Sequence, residues 1–373
     1  MGGELHVVAV ANFFGPRTGG LRTALLAIGR AYRAAGHRYS LVVPGERDEV
    51  IDTDAGPMHT IAAPVVPRSG GYRVIRRTAA VRRLLEKLRP DRLELADRTT
   101  LHGLTRWARG RGIPCLLTAH ERLDGVLASA GVPVPLARKL ADARNRASVA
   151  SGAVLVATTA FAAEEIERIG GAPERVPLGV DLEQFWPVAC APRDRTELLL
   201  CSRLSREKQP EIAVETLREL LARGLEARLT VAGHGPRQAA LERQAAGLPV
   251  RFLGHVTDRE TLRHVLGGAD VTLAPGPIET FGLAALESLA CGTPVVGNAA
   301  SALPEVIGPD GPAGRAATGT AEAFADAVQA LLEVPAEVRR EAARHRAETF
   351  PWHRTVTALL AIEPPRERVV LHT

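Results

Sequence analysis

The sequence has few aromatic residues, few cysteines and no long apolar run. Aromatic residues make up only 4% of the 373 residues, whereas hydrophobic residues of all kinds make up 46%. The cores must therefore consist mainly of aliphatic side chains, which is typical of parallel sheets whose strands are buried on both faces. No run approaches the roughly 18 apolar residues that a membrane-spanning helix needs. The composition predicts a globular α/β protein without a transmembrane segment.

Cysteine usage and the first residues bear on compartment and cofactors. Cys115, Cys190, Cys201 and Cys291 show neither a paired nor a metal-like spacing, which argues against a disulfide framework and a zinc site. The apolar stretch at residues 5–10 is too short for a signal peptide, and no basic segment precedes it. We therefore expect a cytoplasmic protein.

Positive charge is concentrated in the first half of the chain. Residues 1–185 carry 26 Lys and Arg against 19 Asp and Glu, and the density is highest between Arg68 and Arg89. Apolar residues interleave with these cations at roughly helical spacing, which predicts a basic amphipathic helix. Such a helix could lie on anionic lipid, or its cations could simply form a solvated face. Nucleic-acid binding is disfavoured, because no stacking aromatics or recognition motif accompany the charge.

The length predicts two domains, since a chain of 373 residues exceeds one ordinary core. Strand-like aliphatic runs alternate with helical patterns in both halves, which indicates βαβ units and parallel sheets. The expected strands cover residues 5–10, 39–43, 93–96, 115–118, 154–157, 198–201, 228–232, 250–252, 271–274 and 294–296. We predict two doubly wound Rossmann-like domains, 1–185 and 186–349, facing a central cleft. Pro and Gly residues mark the boundary segment at residues 176–185.

Residues 279–292 carry the strongest functional signal. Thr280 is a typical N-cap and Gly292 a typical left-handed stop, so the sequence predicts a helix between them. The positive N-terminal end of this helix would attract an anion such as a phosphate group. Glu279 precedes the helix and Glu287 lies within it, so both carboxylates can face one cleft at different depths. Taken alone, the pair could equally be a solvated loop acid and a helix-surface charge.

Further candidate groups follow strands, where the ligands of open α/β sheets bind. They are Gly19, Gly20, Asp97, His120, Arg203, Lys208, Gly233, Gly235 and Val256. Consecutive glycines let backbone amides approach a phosphate closely, and a guanidinium with an ammonium stabilises the charge of a diphosphate. A plain turn would equally explain the glycines, and a structural hydrogen bond would equally explain a lone histidine.

The E-x7-E spacing of Glu279 and Glu287 resembles the signature of retaining glycosyltransferases of family four, which have the GT-B fold. Pro-Gly-Pro before the first acid and Cys-Gly-Thr-Pro after the second are similar to that family as well. The resemblance implies that Glu279 faces the donor sugar and that Glu287 binds the ribose of a sugar nucleotide. It also implies donor contacts from Phe281, Gly282 and Leu283 at the start of the helix.

The resemblance covers nearly the whole chain. Residues 202–210 look like the family's G-R-L-x-x-E-K-G motif, with Ser202 and Gln209 in place of glycines, which implies that Arg203 and Lys208 hold the donor diphosphate. The implied positions of the remaining groups are near the diphosphate for Gly19 and Gly20, beside the nucleotide for Gly233, Gly235 and Val256, and near the transferred sugar for His120. Asp97 is an expected contact of an acceptor hydroxyl. The tail at residues 350–373 would pack back onto the first domain.

Residues 11–23, 120–124 and 274–282 look particularly like the actinobacterial PimC-type α-mannosyltransferases, which use GDP-mannose and act on phosphatidylinositol mannosides. This similarity implies a retaining transfer in which the leaving phosphate activates the acceptor hydroxyl, without a protein nucleophile. A D-x-D motif at residues 52–54 would suggest a metal-dependent GT-A enzyme. We reject it because it follows a Pro-Gly turn and because a cationic diphosphate site makes a metal unnecessary, so we expect no cofactor.

Three functions remain open. The first is a mannosyltransferase that acts on a glycolipid and touches the anionic inner face of the plasma membrane peripherally, which the basic segment favours. The second is a glycosyltransferase with a small soluble acceptor, such as a secondary metabolite, which would keep every donor motif. The third is a nucleotide-sugar protein that is not a transferase, such as a GT-B epimerase.

Overall fold

The computed structural model describes residues 3–15, 19–66, 71–188 and 194–363. They form two compact units. The first unit comprises the described residues of Met1–Asp124, Val134–Pro177 and Trp352–Thr373, and the second comprises those of Gly125–Pro133 and Leu178–Pro351. The division after Pro177 falls within the boundary segment at residues 176–185, ahead of the expected boundary at residue 185.

The first unit contains a sheet whose strands are β1 (His6–Val10), β2 (Arg38–Gly45), β3 (Glu49–Thr53), β4 (Gly56–Ala62), β5 (Arg92–Leu95), β6 (Cys115–Ala119), β7 (Val154–Ala157) and β8 (Glu174–Arg175). Its strand order is β3-β4-β2-β1-β5-β6-β7-β8, and every neighbouring pair is parallel except β3 with β4. The helices are α1 (Gly20–Ala34), α2 (Ala79–Leu88), α3 (Gly103–Arg109), α4 (Leu123–Ser129), α5 (Val134–Val149) and α6 (Ala160–Glu167). The helix α4 crosses the division between the units.

The second unit contains the parallel strands β9 (Thr196–Cys201), β10 (Ala227–Ala232), β11 (Val250–Gly254), β12 (Val271–Ala274), β13 (Val295–Asn298) and β14 (Gly314–Ala317), in the order β11-β10-β9-β12-β13-β14. The helices are α7 (Pro210–Ala222), α8 (Gln238–Gln244), α9 (Arg259–Gly267), α10 (Leu283–Ala290), α11 (Leu303–Ile307), α12 (Ala321–Leu332) and α13 (Ala336–Glu348), with a 3₁₀ turn at Arg206–Lys208. The strand order reverses at β9, and ligands of doubly wound sheets bind at the carboxyl ends of the strands beside such a point.

Aliphatic side chains build both cores, as the composition predicts. Around β1 and β5, the fully buried side chains of Val8, Val10, Leu93 and Leu95 pack together. In the second unit the main core cluster consists of aliphatic and alanine side chains with Phe324 as its buried aromatic residue. Strands that are buried on both faces read as continuous aliphatic runs, which is why the sequence revealed these strands.

The last described helix, α14 (Trp352–Ala361), belongs to the first unit and packs against α1. The buried Arg92 on β5 donates to the carbonyl oxygen of Leu359 at 2.6 Å and to that of Ile362 at 3.2 Å. These bonds tie the C-terminal end of the helix to β5, where the Leu359 carbonyl oxygen also accepts the Ile362 amide at 3.2 Å.

The basic helix is much shorter than the sequence predicts. The helix α2 spans only residues 79–88, Arg68 lies outside the described residues, and Arg73 instead donates to the Ala63 carbonyl and pairs with Glu46. Val81 and Leu85 are fully buried, so the apolar face of α2 already serves the core of its own unit. Within the described residues, no helix combines the length and the apolarity of a membrane span.

Candidate active site

Three loops meet at the carboxyl ends of β9, β10 and β11, and glycines lie in the two that follow β10 and end β11. The amide of Gly233 donates to the carbonyl oxygen of Gly254 at 2.7 Å, and the amide of Leu204 donates to that of His234 at 3.1 Å. A Cβ atom built on Gly233 would lie 1.8 Å from the Ser202 carbonyl oxygen, and one on Gly235 would lie 2.2 Å from that of Leu204. Only glycine fits these two positions, so the backbones lie in direct contact and their loops form one surface.

Cations follow β9 in this surface. Lys208 forms an ion pair with Glu279, and the two side chains are 28% and 26% exposed, while Arg203 is exposed. A bound donor would therefore meet a lysine and a glutamate that already hold each other in place. Gln209, which stands where the family motif has a glycine, adopts left-handed backbone angles with φ of 45°. The turn thus keeps a glycine-like geometry without glycine.

The helix of the E-x7-E segment begins later than predicted. Gly282, with φ of 92°, is the residue before α10, and Leu283 is its first residue, so Thr280 is not the N-cap. A Cβ on Gly282 would lie 2.5 Å from Leu303, and this close packing explains why glycine occupies the site. Phe281 is buried against the edge of Phe350, with ring centroids 6.0 Å apart. The helix ends as expected, because Gly292 follows the C-cap with φ of 78°.

Glu287 is the most perturbed carboxylate of this surface. Its side chain on α10 is 13% exposed, and Arg259 at the start of α9 places Nη1 4.0 Å from Oε1. Burial raises the pKa of Glu287 to about 7, although the charge of Arg259 opposes the shift. A carboxylate poised between its charged and neutral forms can accept hydroxyl hydrogen bonds when ionised. Val256, another expected nucleotide contact, lies half-buried in the loop after β11.

The first unit holds the remaining predicted residues. Gly19, with φ of 133°, directly precedes α1, which begins at Gly20, while residues 16–18 of the glycine loop lie outside the described residues. Asp97 is buried, and its Oδ1 accepts the Thr99 amide at 2.7 Å while Thr100 bonds to Oδ2. This carboxylate thus caps its own turn, which is a structural use of the residue that we expected to touch an acceptor.

His120 is half-buried just after β6. Burial, reinforced by the nearby charge of Arg98, lowers the pKa of His120 to about 4. The imidazole is therefore neutral at physiological pH, with one N–H donor and one acceptor nitrogen. Arg98 also pairs with the buried Glu165, and sequence reasoning missed both residues as well as Arg259. Arg98 could have been predicted as a site residue, because it is a cation that follows β5 and is adjacent to the candidate residue Asp97.

Two further expectations concern metals. Asp54 of the D-x-D motif lies beside the hairpin of β3 and β4 and pairs with Arg30 at 3.1 Å, so it has a structural partner. Across the described residues, no group of three or more His, Cys, Asp or Glu side chains is arranged to hold a metal ion.

Comparisons with known proteins place this surface in context. Residues 19–179 match a model described as "Glycosyl transferase 4-like domain", and residues 195–334 match "Glycosyl transferases group 1". A "GDP-mannose-dependent alpha-(1-6)-phosphatidylinositol dimannoside mannosyltransferase" of Mycobacterium tuberculosis is 47% identical over 96% of this chain and 95% of its own. A "D-inositol 3-phosphate glycosyltransferase" of Geodermatophilus obscurus is 36% identical over 70% of this chain and 64% of its own.

Solved structures support the fold alone, since their sequences are distant. Sucrose-phosphate synthase from Thermosynechococcus elongatus superposes with a TM-score of 0.77 at 21% identity, covering 95% of this chain and 97% of its own. A glycosyltransferase from Rickettsia africae gives a TM-score of 0.74 at 16% identity, covering 96% and 97%. The predicted resemblance and fold class are confirmed: the chain belongs to the group 1 glycosyltransferases of family four and has the GT-B fold.

Proposed function

We propose that the protein transfers mannose from GDP-mannose, with retention of configuration, onto a hydroxyl of a phosphatidylinositol mannoside. The observation that carries this proposal is the 47% identity, over 96% of the chain, to the mannosyltransferase of Mycobacterium tuberculosis whose name states that donor and acceptor. The match extends over 96% of the chain and therefore includes residues of both units.

The geometry of the second unit supports a sugar-nucleotide donor. Lys208 and Arg203 supply the positive charge that a departing diphosphate requires, and their turn lies against Pro275-Gly276-Pro277, since a Cβ on Gly276 would lie 3.2 Å from the Glu207 carbonyl oxygen. Glu279 would face the hexose of the donor, and Glu287 would accept hydrogen bonds from the ribose hydroxyls. Gly233, Gly235, Val256 and residues 281–283 would border the nucleotide and its phosphates. The family resemblance also assigns phosphate contacts to Gly19 and Gly20.

Charge stabilisation by Arg203 and Lys208 removes the need for a metal ion at the diphosphate. We therefore expect the reaction to be metal-independent, with the leaving phosphate accepting the proton of the attacking hydroxyl. His120, neutral at physiological pH, would donate one hydrogen bond to the transferred sugar. A lipid acceptor implies a cytoplasmic protein that touches the inner face of the plasma membrane peripherally.

A donor and acceptor panel tests the proposal. The purified protein is incubated with GDP-mannose or UDP-glucose, with and without phosphatidylinositol dimannoside, and release of the nucleoside diphosphate is measured. We expect release from GDP-mannose that depends on the lipid acceptor and persists in EDTA. Preference for UDP-glucose would contradict the donor, and rapid release with inositol 3-phosphate but not with the lipid would favour the soluble-acceptor function, which the relative from Geodermatophilus obscurus motivates.

A further inference from the structure

The helix α5 is amphipathic in the opposite sense to an ordinary surface helix. Its buried face consists of the small or polar residues Ala137, Ala141, Asn145 and Ser148. Large apolar side chains are exposed instead: Leu136 and Leu140, one turn apart on the same face, are 48% and 47% exposed, and Val134, the first residue of the helix, is 68% exposed on another side. A surface helix normally turns its apolar stripe to the core, so this outward stripe indicates a binding surface.

Cations surround this exposed stripe. Residues 125–149 contain one acidic side chain, Asp142, and four basic side chains, Arg138, Lys139, Arg144 and Arg146. Asp142 accepts hydrogen bonds from Arg168, at 2.9 Å from Nε and 2.5 Å from Nη2, so its charge is already compensated. The exposed cations Arg138, Lys139 and Arg146 therefore give the face of α5 a positive potential.

Two other exposed surfaces among the described residues of the first unit lack this combination. On α2, exposed cations accompany an apolar face that is buried in the core. On the edge strand β3, Val50 and Ile51 are 60% and 39% exposed, but Glu49 and Asp52 flank them. An apolar stripe framed by cations fits the interface of an anionic bilayer, whereas a stripe framed by acids does not.

We propose that α5 is the membrane-docking surface of the protein. Leu136 and Leu140 enter the headgroup region of an anionic bilayer, and Arg138, Lys139 and Arg146 contact lipid phosphates. This inference rests on the proposed function, since a phosphatidylinositol mannoside acceptor resides in such a bilayer. The proposed membrane contact therefore lies on α5 and not on the basic segment at residues 68–89. The sequence pattern does not reveal α5, because the buried face of this helix consists of small or polar residues.

Vesicle co-sedimentation of the full chain tests the surface. The probes are vesicles of phosphatidylcholine mixed with phosphatidylglycerol and vesicles of phosphatidylcholine alone. We compare wild type with L136E/L140E, with R138Q/K139Q and with the control V50E, which places one glutamate on an exposed valine of β3. Thermal melts verify that each variant is folded, as expected for exposed positions.

Wild type should bind the mixed vesicles, and its binding should weaken with salt. L136E/L140E should lose at least about tenfold in partition coefficient, because two leucine side chains no longer enter the interface. R138Q/K139Q should lose about fivefold per cation removed, and V50E should bind like wild type. Equal binding by wild type and L136E/L140E would overturn the proposal, as would the absence of wild-type binding.

The oligomeric state shows whether a second copy of the chain, and not a membrane, covers the exposed face of α5. If wild type sediments as a dimer in the absence of lipid and L136E/L140E sediments as a monomer, the face binds a second copy and the membrane proposal is wrong. Failure of the proposed function is a distinct result. Vesicle binding without turnover of GDP-mannose would contradict the mannosyltransferase, whereas turnover without vesicle binding would contradict only the docking surface.

Discussion

Arg98 and Glu165 form an ion pair that is almost completely removed from solvent, with side chains 6% and 0% exposed. The carboxylate of Glu165 also accepts the amides of Leu123 and Asp124, at 2.9 and 3.3 Å, and Arg98 donates to the Glu121 carbonyl oxygen and to Asn145. The pair therefore fixes the chain directly after His120. Apolar side chains could fill the same space without the cost of burying two charges. We therefore interpret the pair as a constraint on the backbone beside His120, a candidate active-site residue.

Removal of the Glu165 carboxylate should strongly destabilise the protein. Glu165→Ala leaves the Arg98 charge buried and unpaired, which costs about 3–5 kcal/mol. Glu164→Ala is the matched control, because the neighbouring Glu164 is 62% exposed where it pairs with Arg122, and its loss should cost less than about 1 kcal/mol. Urea unfolding measures both values. Similar midpoints for the two variants would show that the buried pair does not hold this region.

The raised pKa of Glu287 predicts opposite effects on stability and binding. The folded-state pKa, about 7, lies above the usual value of 4.5, so the favourable contribution of protonated Glu287 is present at low pH and is lost as the pH rises through 7. Glu287→Gln should therefore stabilise the ligand-free protein near pH 8 and change little near pH 5.

The same substitution should weaken GDP binding near pH 8, since only the ionised carboxylate accepts hydrogen bonds from both ribose hydroxyls. Thermal melts and calorimetric titration with GDP, each at both pH values, make the comparison. If GDP affinity at pH 8 is unchanged in Glu287→Gln, Glu287 is not the ribose ligand.

Lys208 should matter for turnover far more than its neighbour in the same turn. Lys208→Met removes a charge held against Glu279 and should lower kcat by about 10²- to 10³-fold, the typical effect of losing one group that stabilises transition-state charge. Arg206→Met is the control, because Arg206 lies exposed in the same 3₁₀ turn and should retain nearly full activity. Initial rates of GDP release measure both, and equal losses would contradict the role of Lys208.

The loop contact at Gly233 should tolerate no side chain. Gly233→Ala drives a methyl group into the Ser202 carbonyl, 1.8 Å away, and should cost about 3 kcal/mol or more together with nucleotide affinity. Gly247→Ala shares a positive φ, 78°, but its Cβ would meet open space, so we expect a cost of about 1 kcal/mol and unchanged affinity. Chemical denaturation and GDP titration distinguish them, and an unaffected Gly233→Ala would refute the close approach.

Sequence patterns predicted the parts of the fold in which burial and periodicity agree. The strands β1, β2, β5, β6, β7 and β9 to β13 were predicted from their aliphatic runs, and Gly292 ended α10 as expected. The hairpin of β3 and β4 was missed because Val50 and Ile51 on the edge strand are exposed and interrupted by acids, so no core pattern arises. The helix α5 was missed because its buried face consists of small residues.

Residues of the candidate site could be predicted where the backbone conformation requires a particular residue type. Gly233 and Gly235 are required by backbone contacts, so glycine itself was the signal. The sequence predicted Thr280 as the N-cap of α10 because threonine is a good capping residue. In the structure the N-cap is Gly282, where close packing against Leu303 leaves no room for a side chain. Arg98, Glu165 and Arg259 were not predictable, since ion pairs between residues far apart in sequence depend on the tertiary fold.

Analysis of the reaction product tests the central claim most directly. The protein is incubated with GDP-α-mannose and phosphatidylinositol dimannoside, and the extended lipid is analysed by mass spectrometry and NMR. The account predicts a product that carries one additional mannose in α linkage. A β linkage, or free mannose with unchanged lipid, would contradict a retaining mannosyltransferase.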